Sequence, residues 1–350
     1  MTTTNTCYSC LLLQMESSSS SHQEFPVPLP CLVVDHDGAG GEPCTTLLDI
    51  SKGEYQYQTC ANIDVLQNRQ RWVTPQGWVL SWDPSTFSTF LWSPQTSEKI
   101  ALPSLTTRRV HKDSACCLSD KPTSNTGFTV VVADQDDTVI WYCHVGGTAA
   151  AGSGWVRHEY HLGIYRIAVL SGSMPVDRMI TWMAAYQGKF YFIKSGAELG
   201  VLEFSLKPVI TSLAVPSVNR PTGTTDWAAS CVELDGELYL VAAFLYSNTG
   251  YDTSVLGGGV YRLDFEARRW RTVQSIGDRA FVMGWKHFGG WCAATISGLR
   301  PNCVYWMGLG YNMNLLHVFG ISGGTYEVHN PCKGIAGRYC NAVWMLPTDP

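Results

Sequence analysis

Charge is scarce in this chain. Only 15% of its residues are Asp, Glu, Lys or Arg, and no Lys or Arg precedes Lys52. Long surface helices draw heavily on Glu and Lys, so the scarcity speaks against a helical protein. A secretory signal needs a basic segment ahead of its apolar core, and the start of the chain offers none. The same lack of Arg argues against a mitochondrial presequence, while the many early Ser and Thr residues leave a plastid address open. No Asn-x-Ser/Thr sequon occurs anywhere. The apolar run Leu11-Leu12-Leu13 is far too short to cross a bilayer. The thirteen cysteines are odd in number and irregularly spaced, unlike a disulfide framework. These absences lead us to expect a cytoplasmic or nuclear protein that is not secreted, with no membrane partner. Its cysteines then serve as small buried hydrophobes.

Positive charge is not concentrated either. The net charge is −5 and the sequence pI about 6.0. Nucleic-acid binding usually needs a basic face. The compact basic clusters, Arg108-Arg109 with Lys112 and Arg268-Arg269 with Arg271, are short and suit solvated loops or strand ends. Nucleic acid is therefore not an expected partner.

What is present points to strands. Hydrophobic residues make up 45% of the chain, aromatic residues 12%, and there are 33 glycines. That mixture suits short strands joined by tight turns. Residues 1–28 read as a disordered Ser/Pro-rich tail, with a serine run from Ser17 to Ser21 and prolines at Pro26, Pro28 and Pro30. Ordered sequence is expected from Leu29, with Cys31-Leu32-Val33-Val34 as the first strand and Gly38 to Gly41 as a turn. One pattern then returns, a Gly or Asp-Gly turn followed by an alternating apolar strand. It occurs at Gly77 to Leu80, Gly127 to Val132, Gly188 to Ile193 and Gly236 to Val241. The interval is roughly 50 to 60 residues, close to the length of a kelch-type propeller blade. Thr138 to Cys143, Leu199 to Phe204 and Val260 to Asp264 fit further strands of the same unit. Ile63 to Arg71 is the only candidate short helix. The expectation is one all-β domain over residues 29–350, a β-propeller of about six or seven four-stranded blades, preferred by its repeat spacing over a pair of β-sandwiches.

At these residues the chain resembles the plant F-box-associated β-propeller family named after the KIB proteins. Gly77-Trp78-Val79-Leu80, Leu91-Trp92-Ser93-Pro94 and Leu102-Pro103 resemble its "GW-strand, NP-x-T, LP" run, with Ser93 in place of Asn. Leu118-Ser119 before Pro122 resembles the next landmark, and Trp182 to Ile193 the strand after it. Cys231 to Val241 resembles the family's most specific stretch, an acidic Asp-Gly turn between two apolar strands. Val260 to Asp264 with Trp270, Gly277 to Phe281, Cys303 to Trp306 and Trp344 to Pro347 complete the series in order. The resemblance implies a propeller that holds a protein partner, in a setting linked to ubiquitin ligases, and it supplies no catalytic residues. Members often carry an F-box that docks on the Skp1 adaptor. The Ser-rich first residues lack the helical, Leu-rich character of an F-box, so Skp1 is not an expected partner here.

Searching the sequence for chemistry yields no catalytic, cofactor-binding or metal-binding residue to commit to. Cys7 and Cys10 form a C-x-x-C in the tail, without the second pair that zinc wants or the βαβ context that redox use wants. Asp35-His36-Asp37 would alternate across a strand and not converge. Asp134, Asp136 and Asp137 read as a turn, with too few ligands for calcium. His158 and His161 lack a third ligand. Ser171-Gly172-Ser173 is no nucleophile elbow, because neither serine stands in G-x-S-x-G. Gly257-Gly258-Gly259 and Gly308-Leu309-Gly310 lack the Gly-Lys-Ser/Thr of a phosphate loop. Cys116-Cys117 fits burial as well as reactivity. Trp78, Trp141, Trp182, Trp270 and Trp306 fall in strand patterns and suit packing between blades. Trp82, Trp92, Trp285 and Trp291 fall near turns, where aromatics can form a binding face. The expectation is a non-catalytic protein-interaction module. The alternative is a small-ligand or sugar-binding propeller, or an enzyme with its site in the central channel.

Overall fold

The structure is a computed structural model. It describes residues 25–37, 42–51, 56–59, 63–66, 69–107, 110–122, 127–146, 154–169, 172–205, 207–247, 253–284, 288–309, 313–323, 325–333, 335 and 341–348. Cys7, Cys10, Arg108, Arg109, Gly38 to Gly41, Ser171, Trp285 and Gly310 lie outside the described residues.

The described chain is an all-β propeller of six blades. Blade 1 is closed by both ends of the chain: its innermost strand is Asn341–Met345, followed outward by Cys31–Asp37, Pro43–Asp49 and Gln56–Thr59. Blade 2 runs Gln70–Val73, Val79–Trp82, Thr89–Trp92 and Lys99–Leu102. Blade 3 runs Ala115–Leu118, Phe128–Ala133, Val139–Val145 and Val156–Glu159. Blade 4 runs Met183–Tyr186, Lys189–Ser195, Glu198–Phe204 and Pro208–Ala214. Blade 5 runs Asp226–Leu234, Glu237–Ser247, Thr253–Asp264 and Arg269–Thr272. These blades are antiparallel meanders throughout, so each inner strand ends at the same end of the axis.

Blade 6 departs from the pattern. It has five strands, in the order Phe288–Ala293, Arg279–Gly284, Cys303–Met307, Leu316–Gly320 and Tyr326–His329. Arg279–Gly284 runs parallel to Cys303–Met307, an extra strand slipped between the innermost strand and the rest. The hairpin Ile164–Val169 with Gly172–Asp177 forms a separate two-stranded sheet between blades 3 and 4. The expected helix over Ile63 to Arg71 is not formed. Asp64–Leu66 makes one 3-10 turn and Gln70–Val73 is already the inner strand of blade 2.

The turns follow from residue chemistry. Asp235-Gly236 joins two long strands of blade 5 with φ of 50° and 76°, the left-handed pair that a two-residue hairpin loop demands. Ser93, standing where the resembled motif has Asn, accepts the Thr96 N–H at 3.1 Å and so closes the same kind of side-chain turn.

The core is a ring of layers between neighbouring blades. Trp72, Leu80, Leu91, Leu118, Val130 and Val132 fill the seam of blades 2 and 3. Cys117, Val131, Ile140, Phe190, Phe192 and Leu202 fill that of blades 3 and 4. Gly200 sits opposite Phe192, and a Cβ there would lie 2.1 Å from the ring, so this seam needs glycine for the ring to cover. Blade 1 packs on blades 2 and 6 through Leu32, Val34, Leu48, Val79, Val282 and Trp344. Trp344 is fully buried, and its indole N–H donates to the Met283 carbonyl at 2.7 Å. That bond ties the last inner strand to blade 6 and seals the ring. Phe25 to Pro28, read with the tail from sequence, follow the surface here. Val27 is buried and Phe25 packs tilted on Trp92.

Candidate binding site at the axial mouth

Where the inner strands end, the chain turns at the axis, and each blade brings a residue there. Pro75 and Gln76 come from blade 2, Lys121 from blade 3, and Ala184 and Ala185 from blade 4. Val232, Glu233 and Asp235 come from blade 5, Gly290 and Trp291 from blade 6, and Thr348 from the closing strand of blade 1. They enclose about 290 Å³. The small side chains of Ala184, Ala185 and Gly290 keep the space open, and the charged ones ring it.

Each polar group is held by its blade. The Gln76 amide donates to the Leu118 carbonyl at 2.9 Å and accepts the Leu118 N–H at 3.4 Å, so it caps the free edge of blade 3. The Thr348 N–H donates to Gln95 Oε1 at 3.0 Å, and its hydroxyl meets Ser93 Oγ at 3.1 Å. Arg279 lies over the Trp291 ring, 5.1 Å from its centroid, and 3.6 Å from an Asp235 oxygen. Glu233 accepts the Gly236 N–H at 2.8 Å. Burial raises the Glu233 carboxyl above its ordinary value. Asp235 adds to that, while the Gly236 bond and Lys121 oppose it.

Such a set offers hydrogen-bond donors and acceptors, two carboxylates and an aromatic ring for recognition. No Ser, Cys or His stands beside the carboxylates among the lining residues. Among the described residues no three His, Cys, Asp or Glu side chains are grouped to hold a metal ion.

The motifs singled out from sequence are dispersed. His36 bonds Thr46 at 2.9 Å, while Asp35 accepts from Thr45 at 2.8 Å and pairs with Arg71 on blade 2. The three residues of that run therefore do not converge. Asp134 accepts the Asp136 N–H at 2.9 Å and Asp137 the Thr138 N–H at 2.8 Å, the bonds of a turn. His158 lies in an outer strand of blade 3 and His161 is exposed beyond it. Ser173 accepts from Arg166 in the separate hairpin. Gly257 to Gly259 lie within a long strand of blade 5, and Gly308-Leu309 follow a strand of blade 6. Cys116 and Cys117 are buried on opposite sides of one inner strand. Desolvation lifts the Cys116 thiol well above its usual value and pushes that of Cys117 up to about 12, so neither is a nucleophile at neutral pH. Arg271 is paired with Asp264 at an exposed strand. Trp78, Trp82, Trp92 and Trp306 are buried. Of the described tryptophans placed near turns, Trp291 is the one that reaches the mouth.

Sequence reasoning missed Gln76, Lys121, Glu233, Asp235 and Arg279 as a group. The available signal was their position. Gln76, Lys121 and Asp235 each lie within three residues of the end of an inner strand.

A probable F-box protein of Arabidopsis thaliana is 27% identical over 139 residues, 38% of this chain and 35% of that protein. The match thus spans about a third of the relative's length. Among solved structures, apo AztD from Citrobacter koseri matches at 8% identity over 90% of this chain and 98% of that one, with a TM-score of 0.35. A putative 6-phosphogluconolactonase from Bacteroides fragilis matches at 11% identity over 88% and 91%, with a TM-score of 0.28. A family model described as the KIB1-4 beta-propeller matches residues 47–330, and the chain belongs to that family.

Proposed function

We propose that this protein is a non-catalytic protein-interaction module that receives its partner at the axial mouth. The observation that carries this is the convergence of all six blades on one small space lined by an aromatic ring and paired charges. A partner docked there contacts residues of six separate blades on one frame, which favours specificity. The F-box relative supports a role in ubiquitin-linked regulation, as an adaptor or as a decoy that occupies a target. The buried side chains of Cys116, Cys117, Cys143, Cys231 and Cys292 pack as small hydrophobes, in keeping with a reducing compartment, cytoplasm or nucleus.

The test is a tagged full-length chain expressed in plant cells and recovered with its partners, beside a Trp291→Ala variant, with the Skp1 adaptor scored. A specific protein retained by the parent and lost by the variant supports the reading. If the parent and Trp291→Ala recover the same partners, the mouth is not the binding site. Recovery of Skp1 with the partner indicates a ligase role, and recovery without it an adaptor or decoy.

A further inference from the structure

We propose that the outer edge of blade 4, the strand Pro208–Ala214, pairs antiparallel with the same strand of a second copy of this chain, with Thr211 of each copy on a two-fold axis. This goes beyond the proposed function and does not depend on the mouth.

The outer edges of the six blades are not alike. Gln56–Thr59, Lys99–Leu102, Val156–Glu159, Arg269–Thr272 and Tyr326–His329 are four residues each, and all but the first carry Lys, Arg or Glu. The two strands of the separate hairpin carry Arg166, Pro175 and Asp177. Shortness, charge and proline are the means by which sheet edges are kept from pairing with another chain. Pro208–Ala214 is seven residues long, has no charged residue, and has proline at its first position only. Among the described residues no strand pairs with its outer side. Val209 is 48% exposed, and Thr211, Ser212 and Ala214 are exposed beside it.

The ladder decides which backbone groups are open. Glu198–Phe204 pairs with this strand in a register that sets Val201 against Thr211, and in the same register the Val215 N–H donates to the Ala197 carbonyl at 3.0 Å. Hydrogen-bonded pairs alternate along an antiparallel ladder, so Val209, Thr211 and Leu213 turn their N–H and C=O inward, while Ile210, Ser212 and Ala214 turn theirs outward. A second copy with Thr211 opposite Thr211 sets Ile210 against Ser212 and Pro208 against Ala214. Outward groups then meet outward groups. Each Ile210–Ser212 pair exchanges two bonds and each Ala214 N–H meets a Pro208 carbonyl, about six bonds across the axis. A typical interface has about ten, so the pair should be weak and reversible.

The side chains suit the same axis. Val209 falls opposite Leu213, and Thr211 opposite Thr211, both favourable cross-strand pairs. The charges nearby do not oppose it, since Lys189 pairs with Glu203 and Lys194 with Glu198 inside the chain. The two Lys207 side chains would stand at opposite ends of the pair, about 26 Å apart along the strands and beyond the reach of screened repulsion. A strand from another protein meets the same backbone groups. What selects the copy is this match about one axis, with no charge on either strand to repel. Each chain has one such edge, so the pairing closes at two copies.

Sedimentation velocity of the full-length chain from about 1 to about 200 μM tests this, with circular dichroism as the check on folding. A reversible monomer–dimer equilibrium is expected, with amide exchange at Ile210, Ser212 and Ala214 slowing as the dimer fills. Thr211→Lys and Thr211→Glu change an exposed position, and each alone should weaken the dimer about tenfold by setting like charges opposite each other. An equimolar mixture of the two variants should restore it, because opposite charges then meet on the axis. A chain that stays monomeric, or a dimer that survives Thr211→Lys, overturns the proposal. So does an assembly that grows beyond two copies, or a mixture that stays dissociated. Amide exchange that slows on this strand only when a different protein is bound would assign the edge to that protein and overturn self-pairing.

Discussion

Trp344→Ala should be among the most damaging single changes in this protein, although it lies six residues from the end of the chain. The indole is fully buried in the seam of blades 1 and 6 and donates to Met283 at 2.7 Å. Truncating a buried aromatic to Ala costs about 3–5 kcal/mol. Leaving the Met283 carbonyl without this donor adds on the order of 1 kcal/mol, so the total is about 4–6 kcal/mol. Trp344→Phe keeps most of the apolar volume and loses the donor, and should cost about 1–3 kcal/mol. Urea denaturation followed by tryptophan fluorescence and by circular dichroism measures both, with Ile296→Ser as an exposed control near zero. Because the strand Asn341–Met345 pairs with Cys31–Asp37, opening the seam should also make residues near Cys31 early sites of limited proteolysis. A loss below about 1 kcal/mol for Trp344→Ala, with unchanged proteolysis, would refute the claim that this strand closes the ring.

Three further outcomes follow from the packing and the buried ionisable groups. Gly200→Ala places a methyl 2.1 Å from the fully buried Phe192 ring and should cost about 1–3 kcal/mol by denaturant midpoint, with tolerance of Ala at no cost counting against the seam geometry. Burial lowers His317 from 6.5 to about 4, so the unfolded chain binds the extra proton between those values. Stability should therefore fall as pH drops from about 6.5 toward 4, by up to ~3 kcal/mol, and His317→Asn should flatten that part of the profile. Cys117, Cys143, Cys231 and Cys292, all raised to about 12 by desolvation, should resist iodoacetamide in the native protein at pH 7.5 and react on unfolding, read by mass spectrometry.

Much of the fold was legible because its signals are local. The Asp235-Gly236 turn announces a hairpin from two residues, and the strands around it alternate as a pleated sheet requires. The glycine spacing carries the blade period. The extra strand Arg279–Gly284 was not legible, since its parallel pairing with Cys303–Met307 joins segments that each read as an ordinary strand. The short stretch after Ile63 misled for a related reason. Asp64, Val65 and Leu66 suit one helical turn, but the pull of Trp72 and Val73 into the core makes the chain a strand by Gln70. Trp82 and Trp92 sit at strand ends beside turns, and only the packing of blade on blade shows that both are buried.

The candidate site was illegible for a deeper reason. A catalytic motif or a phosphate loop is a short run of sequence, because one turn presents all its groups. A propeller mouth draws one to three residues from each of six blades, spread between Pro75 and Thr348. None of them is unusual in its own sequence neighbourhood: Lys121 follows an Asp, Glu233 precedes a Leu, and Gln76 sits before a turn glycine. Their meaning lies in the circular closure, which depends on Trp344 reaching Met283 across the ring. The same dependence gives the site a property that a loop motif lacks. Opening the seam at blade 1 would shift Thr348, which lines the mouth, before it disturbed the inner strands of blades 3 to 5. Partner binding should therefore fail at lower denaturant than the far-UV signal does, and binding should protect the closing strand from proteolysis, because a partner held at the mouth stabilises the closed ring by its own binding energy.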